Sequence, residues 1–341
     1  MLREVFRIHD PVGALSEHVS IRFFSIAGVR RISKIPMKHF ITLVVLGDTR
    51  KIDLRPEEFD HIATARRNLL VALRLEEKFD LVIANYVEYE AELLNLALHN
   101  TVYRDFTWSH ANANIQTINR RLMNLLSAGR LLIDQLKHDL SIVYGPSSPQ
   151  AEAVESALKQ QYEEVFAFRF LEALRNHMQH RSLPIRSVNF PMRRDTPDQQ
   201  EVTCGILPSV DVSQLRDDPK FKKALLKELG SDDRIVITPL VRSYVDSVGR
   251  VHDTLRNTLR SDISRWDETI QDAKSRAREV LGGELVGLAA VAQKSERARY
   301  SQIEYIFDDF IERREELQKK NPSLSRHSDY HISGRCNEDA I

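Results

Sequence analysis

The sequence predicts a mainly α protein: an antiparallel bundle of long helices, with a small N-terminal α/β region and a β-hairpin excursion. Three stretches carry that expectation. Ile115, Ile118, Leu122, Leu125, Gly129, Leu132, Leu136 and Leu140 recur three and four residues apart, the rhythm of a helix with one apolar seam. A second long helix is expected from Ser148 to about Arg181, and a third from Thr238-Pro239 to Gly282-Gly283. In the third, Leu240, Tyr244, Val248, Val251, Leu255, Leu259, Ile263, Trp266 and Ile270 make a seam over more than four heptads.

Taken in chain order, residues 1 to about 54 read as short strands. Ser20–Ile26 and Phe40–Leu46 are apolar and β-branched, and Gly47-Asp48 supplies a turn. From Arg55-Pro56-Glu57-Glu58 the period becomes helical, with Ile62, Leu69 and Leu73 on one face and a separate helix expected from about Leu81 to Asn100. Gly145-Pro146 ends the helix that follows, and Ser148 with Pro149 starts the next as N-cap and first residue. That helix ends before Pro184, and its middle, Val165 to Leu171, is apolar nearly all round. Residues 185–212 read as the hairpin, with Asp195-Thr196-Pro197-Asp198 at the tip. A short helix is placed between Asp218-Pro219 and Gly230, a strand over 285–292, a charged helix over 299–319 and a loose polar tail over 321–341. Two units follow: a mixed region over 1–104, suited to sensing or docking, and a helical domain over 105–320.

Composition narrows the function classes. The chain has 341 residues, 42% hydrophobic and 29% charged, with a formal net charge of zero. That suffices for a sizeable core and argues against coating nucleic acid through global charge. Two cysteines, Cys204 and Cys336, make no disulfide framework, and a reducing, cytoplasmic setting is expected. No apolar run approaches a membrane span, and Met1-Leu2-Arg3-Glu4-Val5 lacks the apolar core of a signal peptide. Trp108 and Trp266 read as core or interface anchors.

The stretch that carries chemistry is Arg175-Asn176-His177-Met178-Gln179-His180. Residues four apart share a helix face, so Asn176 and His180 stack. Arg175 and His180 are about 140° apart on the wheel, which leaves the guanidinium beside that face. Residues 165–195 hold six Arg and two His against one Glu and one Asp. Arg grips a phosphate through two parallel hydrogen bonds, and a His that titrates near neutrality moves a proton. In RNA the attacking group is the substrate's own 2′-hydroxyl, so neither a metal nor a protein nucleophile is needed.

On those residues the chain resembles the HEPN superfamily, whose members carry Arg, a polar residue, several further residues and His on the second of two long antiparallel helices. The resemblance covers roughly residues 110–185, with the 239–281 helix completing the bundle. It implies an all-helical domain that dimerises so that two motifs face one cleft. It also implies metal-independent RNA cleavage in a toxin–antitoxin or antiphage setting, with RNA, a second copy and an antitoxin or regulatory protein as partners and no cofactor. Carried over by position, Arg175 binds the scissile phosphate, His180 acts as acid or base and Asn176 orients them. His177 and Gln179 stand in support, and Asp134 on the preceding helix is the candidate partner of Arg175. Arg181, Arg186, Arg120 and Arg121 are the candidate RNA contacts.

Two other strings satisfy a relaxed version of the pattern: Arg104-Asp105 with His110, and Arg326 to His331. The first lies between helices and the second in the tail, so only the Arg175 copy has the helical setting. His327, His331 and Cys336 have odd spacing for a metal site and are set aside. Two alternatives use the same residues: a non-catalytic helical interaction module, and an RNA-binding protein that does not cleave.

Overall fold

A computed structural model describes residues 37–45, 47–105, 107–193, 202–296 and 298–323. Over these the protein is mainly helical, with small antiparallel sheets. The strand expected at Ser20–Ile26 and the hairpin tip at 195–198 lie outside the described residues. So does the tail with Arg326, His327, His331 and Cys336.

Strands β1 (Lys38–Leu43) and β2 (Lys51–Leu54) pair antiparallel, with Gly47 at φ +87° in the connection. Helix α1 then runs unbroken over Pro56–Tyr103. The backbone N–H of Arg55 donates to Glu58 at its start, and Arg104 ends it at φ 50°. Two helices were expected over this span. They are one because no Gly or Pro occurs between residues 57 and 103, and the seam Leu75, Phe79, Val82, Tyr86, Tyr89, Leu93 never lapses. With 48 residues α1 is longer than α7 (Thr238–Leu281, 44 residues).

Helix α2 (Trp108–Tyr144) returns antiparallel to α1, as Lys78–Asp139 at one end and Arg121–Glu92 at the other require. The single helix expected from Ser148 to Arg181 is two, α3 (Pro149–Glu164) and α4 (Phe166–His180), broken at Val165 with φ −106° and ψ 107°. Arg169 Nη1 takes up the carbonyls of Tyr162 and Glu163 at 3.0 and 2.6 Å. The break re-phases the apolar stripe, so that Phe168, Phe170, Leu171 and Leu174 all enter the core. No Gly or Pro marks the position, and the satisfied carbonyls show what holds it.

The hairpin is present as β3 (Ile185–Asn189) with β4 (Met192–Arg193), returning through β5 (Thr203–Cys204) and β6 (Leu207–Asp211). Two short helices follow, α5 (Val212–Arg216) and α6 (Lys223–Leu229). Asp218 and Pro219 lie between them in a separate turn, where the Asp218 carboxylate accepts from the Lys220 amide at 3.0 Å, and α6 begins only at Lys223. Strand β7 (Arg234–Val236) joins β6 before α7. After α7, β8 (Leu288–Gln293) pairs with β1 and with β9 (Tyr300–Tyr305), giving the order β2-β1-β8-β9. The charged helix expected over 299–319 is therefore β9 followed by α8 (Asp309–Lys320). Pairing with β8 decides the first six residues of that stretch.

Helices α1, α2, α4 and α7 share one core around Tyr89, Leu125, Leu132, Phe170, Leu174, Tyr244 and Leu255. The lower half of α1 packs with α7, α8 and the four-stranded sheet through Leu69, Trp266, Ile270, Phe310 and Ala290. No frontier falls at residue 104: β1 is paired by β8, and α1 is part of the same core as α2. Asn321, expected at the start of the loose tail, is buried, donating to Asp80 at 2.8 Å while its carbonyl accepts from Arg256 at 2.8 Å. Trp108 is 81% exposed and anchors no core, whereas Trp266 is buried. Among the described residues no helix is long and apolar enough to cross a membrane.

Candidate nucleic-acid interface

The last two turns of α4 divide cleanly between inside and outside. Leu171, Leu174, His177 and Met178 face the core, Arg175 is half-buried, and Asn176, Gln179 and His180 are exposed. Asn176 and His180 thus share an accessible face, as their spacing requires. Arg175 Nη1 donates to the Asn176 side-chain oxygen at 3.2 Å. Its Nε is enclosed without an acceptor, and among the described residues it has no carboxylate partner. Its neighbours differ: Arg169 pairs with Glu228 at 2.7 Å, Arg130 with Glu172 at 3.0 Å and Arg181 with Asp218 at 3.4 Å.

A polar layer lies beneath the motif. Glu172, one turn before Arg175, accepts from Arg130 Nη1 and from the Tyr244 hydroxyl, each at 3.0 Å. Burial first, and then the charge of Glu172, push the Tyr244 phenol well above its ordinary 10, so it stays a donor. Tyr244 reaches Glu172 because Gly129 faces it from α2; a methyl there would overlap the hydroxyl. Asp134 does not support Arg175. Its carboxylate accepts from Arg130 Nε at 2.9 Å, so it bears on the motif only through Arg130 and Glu172.

His177 is the buried histidine of the pair. Its Nδ1 lies 2.8 Å from Asp218 and its Nε2 3.1 Å from the Ser182 hydroxyl. The imidazole hydrogen bond, then the Lys220 amide and the Arg181 charge hold the Asp218 carboxyl below its usual range, against its desolvation. Sequence reasoning missed Ser182 and Asp218; one acid 41 residues beyond a histidine carries no local signal. Their order resembles a nucleophile relay, but it sits at a helix C-terminus, where free carbonyls disfavour a developing oxyanion. It braces the end of α4 against the loop between α5 and α6.

Asn176 opens onto a groove of about 450 Å³ between α2, α3 and α4, where Lys159, Lys222 and Tyr162 line the opposite wall. The Lys222 ammonium stands 4.9 Å over the Tyr162 ring. Neither lysine stood out in the sequence, since each is an isolated charge there. Of the expected RNA contacts, Arg120 and Arg186 are exposed. Arg121 is held by Glu88 and Glu92 of α1, and Arg181 is turned to Asp218. Among the described residues, no group of three or more His, Cys, Asp or Glu is placed to hold a metal ion.

Comparison of the chain with protein-family models, with curated proteins and with solved structures returns no match.

Proposed function

We propose that the chain is a HEPN-like endoribonuclease that cuts RNA without a metal, in the toxin or antiphage settings where such enzymes work under an antitoxin or regulator. The observation that carries this reading is Arg175: a guanidinium with no carboxylate partner among the described residues, joined to Asn176, whose exposed helix face His180 shares. A cation left unpaired among paired neighbours is free to take a phosphate. In the proposed reaction Arg175 grips the scissile phosphate and neutralises charge building on it. A 2′-hydroxyl attacks the phosphorus, its proton passing to an imidazole. The bond to the 5′-oxygen breaks and that oxygen is protonated, leaving a 2′,3′-cyclic phosphate and a 5′-hydroxyl. His180 serves as the acid or base, and the second motif of a homodimer supplies the complementary group.

A surface for that second copy is supported by α1. Ala84, Val87, Ala91, Leu94, Leu98 and Val102 form an exposed stripe three to four residues apart, a seam with no helix against it among the described residues. An antiparallel copy crossing between Ala91 and Leu94 would set Ala91 against Leu94 and Val87 against Leu98, each pair occurring twice about the two-fold axis. The stripe lies at the level of the motif, because Arg121 bonds Glu92 on α1 while Asn119, two residues earlier, bonds Ile185 just beyond α4.

The test is cleavage of mixed RNA in EDTA with product ends analysed. The expected outcome is cyclic-phosphate ends, with Arg175→Ala and His180→Ala each slowing cleavage by about 100-fold or more while remaining folded. Cleavage that survives both changes removes the motif from the function. Binding without cleavage in the unaltered chain replaces this reading with that of a plain RNA-binding protein.

A further inference from the structure

At the other end of α1 a second cationic surface is built into the fold. Asp60, Ala63, Arg67, Leu70 and Arg74 follow one another three and four residues apart and face a cleft of about 610 Å³, whose other wall is Gln302 and Glu304 of β9. The volume lies inside the ~300–1,000 Å³ of small-molecule sites. Arg67 and Arg74 are exposed and make no ion pair or hydrogen bond among the described residues. Arg66 closes the cleft beside them, with Nη1 on Glu304 at 3.0 Å and Nε enclosed without an acceptor. The cleft is remote from Arg175: the motif lies level with Glu88 and Glu92, roughly 35 Å further along α1 at 1.5 Å per residue.

We propose that this cleft binds a nucleoside di- or triphosphate. Arg67 and Arg74 stand two helical turns, about 10 Å, apart. Two guanidinium forks on one face at that spacing suit linked phosphates better than one. Ala63, Leu70 and the Phe59 edge give the floor an apolar patch for a base. Asp60, two turns before Arg67, is an acceptor for sugar hydroxyls. The same acid weighs against a nucleic-acid strand: it puts a carboxylate at the end of the cleft, where a continuing polyanion would be repelled, whereas Glu304 is already paired with Arg66. A short anion held between Arg67 and Arg74 stops short of Asp60.

Equilibrium dialysis of the full chain against labelled ATP and GTP tests this, with AMP, inorganic pyrophosphate and a short RNA as competitors. One saturable site is expected, displaced weakly by AMP and by pyrophosphate. The Arg67→Ala/Arg74→Ala double variant should weaken it by about tenfold or more. Its thermal midpoint should not move, since neither arginine holds another residue. Arg175→Ala and His180→Ala should bind nucleotide as the unaltered chain does, so this result stands or falls apart from RNA cleavage. Absence of saturable binding overturns the proposal, and so does binding indifferent to the double variant. Pyrophosphate competing as well as ATP would leave a bare anion site, and preferential displacement by RNA would make the cleft a strand-binding surface; either result overturns the nucleotide assignment.

Discussion

Single residues decide how well the motif is held. Gly129 interrupts the apolar rhythm of α2, and as a helix-interior glycine it costs up to about 1 kcal/mol of propensity relative to alanine. Gly129→Ala should nonetheless destabilise the fold. The added methyl meets the Tyr244 hydroxyl, and Tyr244 is fully buried and bonded to Glu172. Overpacking of that kind costs roughly 1–3 kcal/mol, and losing a buried hydrogen bond to a carboxylate adds to it. The variant should therefore unfold at lower urea than the unaltered chain; a rise in the midpoint would show that propensity outweighs the contact. At this scale the sequence was a partial guide. Arg175, Asn176 and His180 were legible because their relation is local, four or five residues along one helix. The partners of His177 and the substitution of Arg130 for Arg175 as the neighbour of Asp134 were not legible, because they depend on which helices meet.

Among the elements, α1 carries two separate faces. One is the buried seam through Phe79, Tyr89 and Leu93, and the other is the exposed stripe through Val87, Leu94 and Leu98. Apolar positions recur at helical spacing on both faces, and the spacing does not say which is covered. If the exposed stripe joins two copies, Leu94→Glu with Leu98→Glu should convert a dimer to a monomer in sedimentation equilibrium. Helicity should be unchanged, because both side chains already face water in the single chain. A chain that sediments as a monomer before any change would sink the proposed interface. The break at Val165 belongs to this scale too. It follows from the demand that four large side chains of α4 reach one core, and from Arg169 satisfying the two freed carbonyls.

Over the whole molecule, a buried polar cluster ties α1, α7 and α8 together and sets the response to pH. Burial by itself would raise Glu76. Hydrogen bonds from His252 at 3.1 Å and from Arg256 at 2.7 and 3.0 Å outweigh it and hold the carboxyl at about 2. Burial lowers His252 against the pull of Glu76, and its buried Nδ1 has no acceptor, as expected of a neutral ring donating through Nε2. The folded value of Glu76 is depressed from 4.5, so its contribution is complete above that pH and drains away as pH falls toward 2. The shift corresponds to about 3 kcal/mol. Folded His252 also resists protonation, so the unfolded chain takes up that proton first once pH falls below 6.5. Melting temperature should therefore decline from near pH 6.5 downward, more steeply below pH 4.5. Glu76→Gln should be less stable at pH 7 and show a flatter decline below pH 4.5. A variant whose acid limb kept its full slope would place the linkage elsewhere.

The sequence by itself determined what depends on short range. The helical character of the chain, the caps at Ser148 and Gly282, the hairpin after Pro184 and the accessible face shared by Asn176 and His180 all follow from spacing of a few residues. Only the tertiary structure decided what depends on pairing between distant segments. Residues 300–305 form a strand because β8 offers them hydrogen bonds, α1 shares a core with α2 and α7 because their seams are complementary, and Arg175 has no carboxylate partner among the described residues because the nearby acids are bonded to other arginines. Local propensities amount to a few tenths of a kcal/mol per residue, and burial of one large side chain to about 1.5–3 kcal/mol. Where the two compete, packing wins, and packing is written across the chain rather than along it.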